Sequence, residues 1–231
     1  VGELKGTKYG VAAFVYPDLD IKNLTIDQAS KIYNRDYWPK IAGTYQPSGV
    51  DLFMFDTCVN NGAGRALEFQ RKVLGTDLKT ANSLAQKATE TPDKCSQIGK
   101  LAALRGSFYQ SLSTFNTFGK GWMRRNAAAE AKATSLAMQA DKVRPDIAKQ
   151  QIGKKSDEAK ADQKSAVTKA SGSGTAGAAT TQEPSQWNWD WWTLGKIGLI
   201  LILVALVIYF IHKAMVNNER SKAFLEEAKS C

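Results

Sequence analysis

One histidine and three cysteines are all this 231-residue chain offers a soft or borderline metal. His212 lies at the edge of an apolar run, and Cys58, Cys95 and Cys231 follow no metal-ligand spacing, so neither metal nor other cofactor is expected. Cys58 sits inside an apolar stretch and reads as a buried free thiol; a Cys58–Cys95 bridge is the alternative. Neither amounts to a disulfide framework. No stripe of interleaved basic and aromatic residues is present, which argues against nucleic acid as a partner. Strand-type alternation is nearly missing too, with Val11 to Tyr16 the only strand-like stretch. From Ser171 to Trp192 there is no Lys or Arg.

What is present is basic charge, helical periodicity and one long apolar run. The formal charge is +9, and residues 1–150 hold 21 Lys and Arg against 14 Asp and Glu. Such a surface suits a polyanion, whether lipid headgroups or the teichoic and peptide carboxylates of a cell wall, and it also favours solubility. The first residue is Val1, so a processed N-terminus or an upstream segment is expected.

Residues 1–150 read as a mainly α domain. Thr25-Ile26-Asp27-Gln28 is a capping-box pattern, and Ile26, Ala29, Ile32, Tyr33 and Tyr37 recur at helical spacing until Pro39. Ser48 is the expected cap of an apolar helix from Leu52 to Val59, ended by Asn61-Gly62. Further helices are predicted over Arg65 to Leu74 with Gly75 as C-cap, Asp77 to Thr89, Asp93 to Leu112, and Gly121 to Lys142, the last ended by Pro145.

Residues 151–190 read as a flexible linker. Its first part is polar and Lys-rich, and Ser171 to Thr181 holds only Gly, Ser, Ala and Thr. A flexible chain of this length reaches about 30–35 Å root-mean-square. Residues 191–212 follow as a transmembrane helix. The run from Trp191 to Ile211 is about 31 Å long as a helix, the thickness of a bilayer core. Four of the six tryptophans crowd residues 187–192, as an interfacial belt does. Lys213, Arg220, Lys222 and Lys229 lie beyond the run. By the positive-inside rule, residues 213–231 become a short cytoplasmic tail and the N-terminal domain faces the periplasm or outside.

Four stretches resemble a known family. They are Gly6-Thr7-Lys8-Tyr9-Gly10-Val11 with Tyr16-Pro17 and Leu24-Thr25; Ile32-Tyr33-Asn34-Arg35-Asp36-Tyr37-Trp38; Phe55-Asp56-Thr57-Cys58-Val59-Asn60-Asn61-Gly62 with Ala66 and Phe69-Gln70; and Phe118-Gly119-Lys120-Gly121-Trp122-Met123-Arg124-Arg125. In that order they resemble family 108 of the glycoside hydrolases, the phage and bacterial N-acetylmuramidases, with the last stretch similar to the end of the peptidoglycan-binding half usually fused to them. The resemblance spans about residues 4–130. It implies a lysozyme-like fold and cleavage of the peptidoglycan backbone.

Glycosidic cleavage needs a carboxylic acid to protonate the leaving oxygen and a second group on the other face of the sugar. In the family the acid is a Glu in a Glu-Gly-Gly-Tyr motif, far enough before the threonine of Thr-x-Tyr-Gly to fall upstream of Val1 here. Glu3 is the nearby carboxylate and stands outside that motif. By the resemblance Thr7 takes the place of the group that orients water; the alternative is a turn or cap residue before Tyr9-Gly10. Tyr9, Tyr37 and Trp38 offer flat faces to sugar rings or pack a core. Asp56, Asn60, Asn61 and Gln70 are polar groups on or beside apolar helices, serving glycan or backbone. Trp122 is either a wall-polymer contact or a packing residue. The expected partners are peptidoglycan, a lipid bilayer and other virion or membrane proteins. The resulting expectation is a membrane-anchored wall hydrolase, phage-encoded and opening the wall locally. The alternative is a non-catalytic virion or ejection protein that keeps a lysozyme-like fold for glycan binding or assembly.

Overall fold

The computed structural model describes residues 6–174 and 191–230. Glu3 and Cys231 lie outside the described residues. The chain divides into two compact units, Val1–Leu101 and Ala102–Cys231. The sequence reading put the first boundary near residue 150. It falls instead within a helix, because residues 102–150 bury their apolar face against the C-terminal helices rather than closing a core of their own.

The first unit opens with a hairpin of β1 (Thr7–Lys8) and β2 (Val11–Ala12), paired antiparallel with Lys8 opposite Val11. The two turn residues, Tyr9 and Gly10, have φ of 51° and 78°. That is the left-handed pair which matches the twist of a two-residue hairpin. Strand structure therefore begins earlier and ends sooner than the apolar run to Tyr16 suggested. Val11, Ala13, Ile21, Leu24, Ala29 and Ile32 form a small core below the hairpin.

Helix α1 (Ile26–Asp36) starts on the expected capping box. The Thr25 hydroxyl accepts from the Gln28 amide N–H, and the Gln28 side chain accepts from the Thr25 N–H. Two 3-10 turns, Pro39–Ile41 and Gly43–Tyr45, lead to α2 (Val50–Asn61). Ser48 does not cap α2. Gly49, at φ 83°, is the N-cap, and the Asp51 carboxylate accepts from the N–H groups of Gly49 and Leu52. Phe53, Met54 and Cys58 are buried along α2, and Cys58 is a free thiol. Gly62 ends α2, and α3 (Ala63–Leu74) closes on Gly75 in the left-handed conformation. Helix α4 (Ala81–Glu90) is capped by the Thr80 hydroxyl and followed by α5 (Lys94–Gln110), within which the units divide.

The second unit is built on α6 (Phe115–Ala140), α7 (Pro145–Gly174) and α8 (Trp191–Ser230). Pro145 is not only a stop. It is the first residue of α7, where its missing N–H costs nothing. The flexible linker expected from residue 151 is a helix as far as residue 174. Its small residues let it lie close along α8: Ala159 and Ala166 are buried, and the Ser156 hydroxyl donates to the Ser221 carbonyl at 2.9 Å.

The segment after the apolar run is no free tail. Arg220 makes two hydrogen bonds to buried Glu130 of α6, at 2.7 and 2.9 Å. Lys132 pairs with Glu227, His212 meets the Phe115 ring edge-on, and Phe224 is fully buried. Residues 213–230 therefore pack against α6 and α7. The expectation of a free tail is corrected to that extent. Charge counting along a sequence cannot see a helix fold back onto its own domain. Among the described residues, α8 is the one helix long and apolar enough to cross a bilayer. Ile202, Val204, Leu206, Ile208 and Ile211 are exposed on it.

Candidate active site

The hairpin is presented on a stiff aromatic support. The Tyr33 hydroxyl donates to the Tyr9 carbonyl at 3.0 Å, bonding the strained turn from beneath. A Cβ at position 10 would lie 2.3 Å from that same hydroxyl oxygen, so Gly10 serves both the left-handed turn and the close approach of Tyr33. The Tyr33 ring meets Tyr37 at 5.6 Å and Phe55 at 6.1 Å, and Phe55 meets Trp38 edge-on at 5.6 Å. These contacts tie together the hairpin, the end of α1 and the middle of α2.

Polar groups lie on the same elements. Thr7 is exposed on β1, and Tyr9 is half exposed at the turn. Asp56 is half-buried next to Phe55, and Asn60, one turn on, donates to the Asp56 carbonyl at 2.7 Å and also approaches its carboxylate. Asn61 is half-buried at the end of α2. A second tie runs from the chain after β2 to α1. The Tyr16 hydroxyl donates to Asp36 at 2.8 Å, and Arg35 grips the same carboxylate through two nitrogens. Hydrogen bonds from Arg35 and then Tyr16 hold the Asp36 carboxyl down at about 2. Burial and the hydrogen bond to Asp36 push the Tyr16 phenol well above its usual range. Asp36 is thus held ionised and cannot donate a proton near neutrality. Burial raises the Asp51 carboxyl, but its oxygen is committed to two backbone N–H groups at the start of α2.

Three of the residues expected to touch glycan have structural partners instead. Gln70 is fully buried and exchanges two amide hydrogen bonds with Gln46, at 2.8 and 3.2 Å, while Gln46 also donates to the Ile41 carbonyl. Gln70 is closed to a glycan, because a buried amide needs all the partners it has. Trp38 is half-buried, donates to the Thr44 hydroxyl at 3.1 Å and covers Gly43 so closely that a Cβ there would sit 2.3 Å from the ring. Its work is to place the turn that follows. Trp122 belongs to the second unit, where it packs on Tyr109 and Phe118 at 5.4 and 5.7 Å. Of the other expected residues, Thr7 and Tyr9 lie on the hairpin, Tyr37 packs on Tyr33, and Asp56 and Asn60 pair with each other on α2. Sequence reasoning missed Tyr33, and the turn pair Tyr9-Gly10 was the signal that something had to support a hairpin there. It also missed Tyr45, which is 66% exposed in the turn that Trp38 positions.

The described residues are mainly α, and the first unit carries a threonine-bearing hairpin bonded to an aromatic cluster, as a lysozyme-like fold does. Residues 4–62 match the family model of glycosyl hydrolase 108, and that stretch contains the hairpin, α1 and α2. Over that part of its length the chain is similar to the family. Among solved structures it is similar to that of Brucella abortus SagA, with 27% identity and a TM-score of 0.50 over 59% of this chain and 86% of that one. Comparison with curated proteins finds no match.

Proposed function

We propose that this chain hydrolyses the glycan strands of peptidoglycan at the hairpin of its first unit, while the apolar part of α8 holds it at a lipid bilayer. The observation that carries the reading is the exposed Thr7 on a hairpin bonded to Tyr33, which packs on Tyr37, within the residues that match a glycosyl hydrolase family and that also hold the Asp56–Asn60 pair. In that arrangement Thr7 orients water or the oxocarbenium-like transition state. Tyr9 and Tyr37 offer ring faces to the sugar, and the Asp56–Asn60 pair offers polar atoms to its hydroxyls. The proton donor comes from the chain N-terminal to Thr7, where the family resemblance puts its acid, since Asp36 is held ionised and Asp51 is engaged. Action close to a membrane suits local wall opening by a phage-encoded enzyme.

Release of reducing ends from purified peptidoglycan tests the catalytic part. General acid catalysis contributes about 10²–10⁴-fold, so Thr7→Ala, which removes only the orienting group, should cost less, about 10–100-fold in kcat. Wall binding with no release of reducing ends by the intact protein would refute hydrolysis and favour a wall-binding virion protein. Flotation with phospholipid vesicles tests the anchor. Ile202 and Ile208 are exposed, so replacing both with Asp should not disturb packing. Each Asp near the centre of a membrane helix costs roughly 2.5–3.5 kcal/mol, enough to abolish flotation. Unchanged flotation would refute membrane attachment through α8.

A further inference from the structure

The first unit contains a cleft of about 520 Å³ between the turn that carries Tyr45 and one face of α4. Its lining is Tyr45, Asn82, Gln86, Thr89 and Glu90. Asn82, Gln86 and Thr89 follow one another at i, i+4 and i+7, so they share one stripe of the helix. Tyr45 faces them with a ring that is 66% exposed. The turn has little freedom: Trp38 stacks on Gly43 and donates to Thr44, and Tyr45 is the next residue. The ring is thus held out by a rigid support, which lowers the entropy lost when it binds something.

The polar groups are uncommitted in a selective way. Among the described residues, the Tyr45 hydroxyl and the side-chain amides of Asn82 and Gln86 have no hydrogen-bond partner. Thr89 and Glu90 do have partners, the Ala85 carbonyl and Lys87. Two free amides and a phenol supply both donors and acceptors, and an aromatic face supplies a platform for C–H groups. Neutral sugars present those two features, rings of hydroxyls and acetamido groups with apolar ring faces. An anion does not fit. Among the described residues the lining contains no Lys or Arg and does contain Glu90, although the chain as a whole carries +9. A volume of this size suits one or two sugar rings.

We infer that the cleft between Tyr45 and α4 is a second glycan-binding site, which takes a neutral acetamido-sugar segment of the strand by stacking on Tyr45 and hydrogen bonding to Asn82 and Gln86. The inference rests on the wall-glycan reading above and adds a site that works through binding alone. It also reassigns the aromatic work: Tyr45 meets the sugar and Trp38 holds Tyr45 in place.

The experiment uses the full chain and two probes, sedimentation with purified peptidoglycan sacculi and titration with a soluble β-1,4 tetramer of N-acetylglucosamine. Tyr45→Ala should weaken tetramer binding about 3–10-fold, the worth of one aromatic contact. Asn82→Ala with Gln86→Ala should weaken it about 5–30-fold through two lost hydrogen bonds. Tyr45→Phe keeps the ring and should fall between wild type and Tyr45→Ala. All these positions are exposed, so melting temperatures should match wild type. Tetramer binding within twofold of wild type in both the Tyr45→Ala and the double variant would overturn the site while leaving the wall-glycan reading intact. Failure of the wild-type chain to bind either probe would overturn that reading and the site together. Binding to the cleft that is lost in high salt would show an anionic ligand and also overturn the inference.

Discussion

Removing the Arg220 side chain should loosen the whole C-terminal part of α8. Glu130 is 1% exposed at its side chain, and both its oxygens accept from Arg220, at 2.7 and 2.9 Å. Burial works against the charge on Arg220, and the bonds to Glu130 more than offset it, so its pKa is raised. Arg220→Ala leaves a buried carboxylate with no cation. Breaking one side of a buried pair costs about 3–5 kcal/mol. A third of the Arg220 side chain reaches solvent, so water can partly replace it and the cost falls below that range, to about 2–3 kcal/mol. For a unit of this size that is a fall of roughly 6–12 °C in melting temperature. Calorimetry of the full chain in mild detergent would read it, and hydrogen exchange would show residues 213–230 losing protection. Replacing both partners, Glu130→Leu with Arg220→Met, should bring stability back to within about 1 kcal/mol of wild type, since no lone charge is left buried. A loss below about 1 kcal/mol for Arg220→Ala, with protection unchanged, would refute the reasoning. It would also remove the argument that residues 213–230 pack firmly on α6 and α7.

Three further outcomes are expected. Gln70→Leu strands the buried Gln46 amide and should cost about 1–3 kcal/mol in urea unfolding, with glycan affinity unchanged; a selective loss of affinity would restore Gln70 as a binding residue. Gly43→Ala drives a methyl into the Trp38 ring and should cost about 1–3 kcal/mol together with a shift in tryptophan emission, and an unstrained variant would show that the turn is free to move. Asp36 has a folded pKa of about 2 against an ordinary 3.8, so its stabilising contribution is complete above 3.8 and fades as the pH falls toward 2. The stability gap between wild type and Asp36→Asn should therefore be full at neutral pH and close over that acid window, and a gap independent of pH would refute the Arg35–Asp36–Tyr16 tie.

Much of the local structure is legible in the sequence because its causes are local. The capping box at Thr25 and Gln28 needs only residues three apart, and the ends of α2 and α3 at Gly62 and Gly75 need only a residue tolerant of positive φ. The start of α2 is less legible, because a serine before a helix looks like a cap, whereas Asp51 reaches back from inside the helix. Residues 151–174 suggest a spacer because small and polar residues have no evident partner along the chain. Against α8 the same small residues permit close packing, and Ser156 finds a hydrogen bond that solvent would otherwise provide.

By itself the sequence determined the mainly α class, the order of the helices through α6, the apolar run of α8 and the resemblance to a wall hydrolase around Thr7. Each follows from periodicity, capping chemistry or motif order, which are properties of neighbours along the chain. Only the tertiary structure decided which polar residues were already satisfied. Gln70 was ambiguous until Gln46, 24 positions away, closed on it. Trp38 could be a sugar platform or a packing residue until Gly43 and Phe55 were seen against it, with Tyr45 exposed in the turn beyond. Arg220 counted as a charge that orients a tail until Glu130, 90 positions away, claimed it. The physical reason is the same in all three cases: a side chain is free for a ligand only when no distant part of its own chain reaches it first, and that is settled by long-range packing.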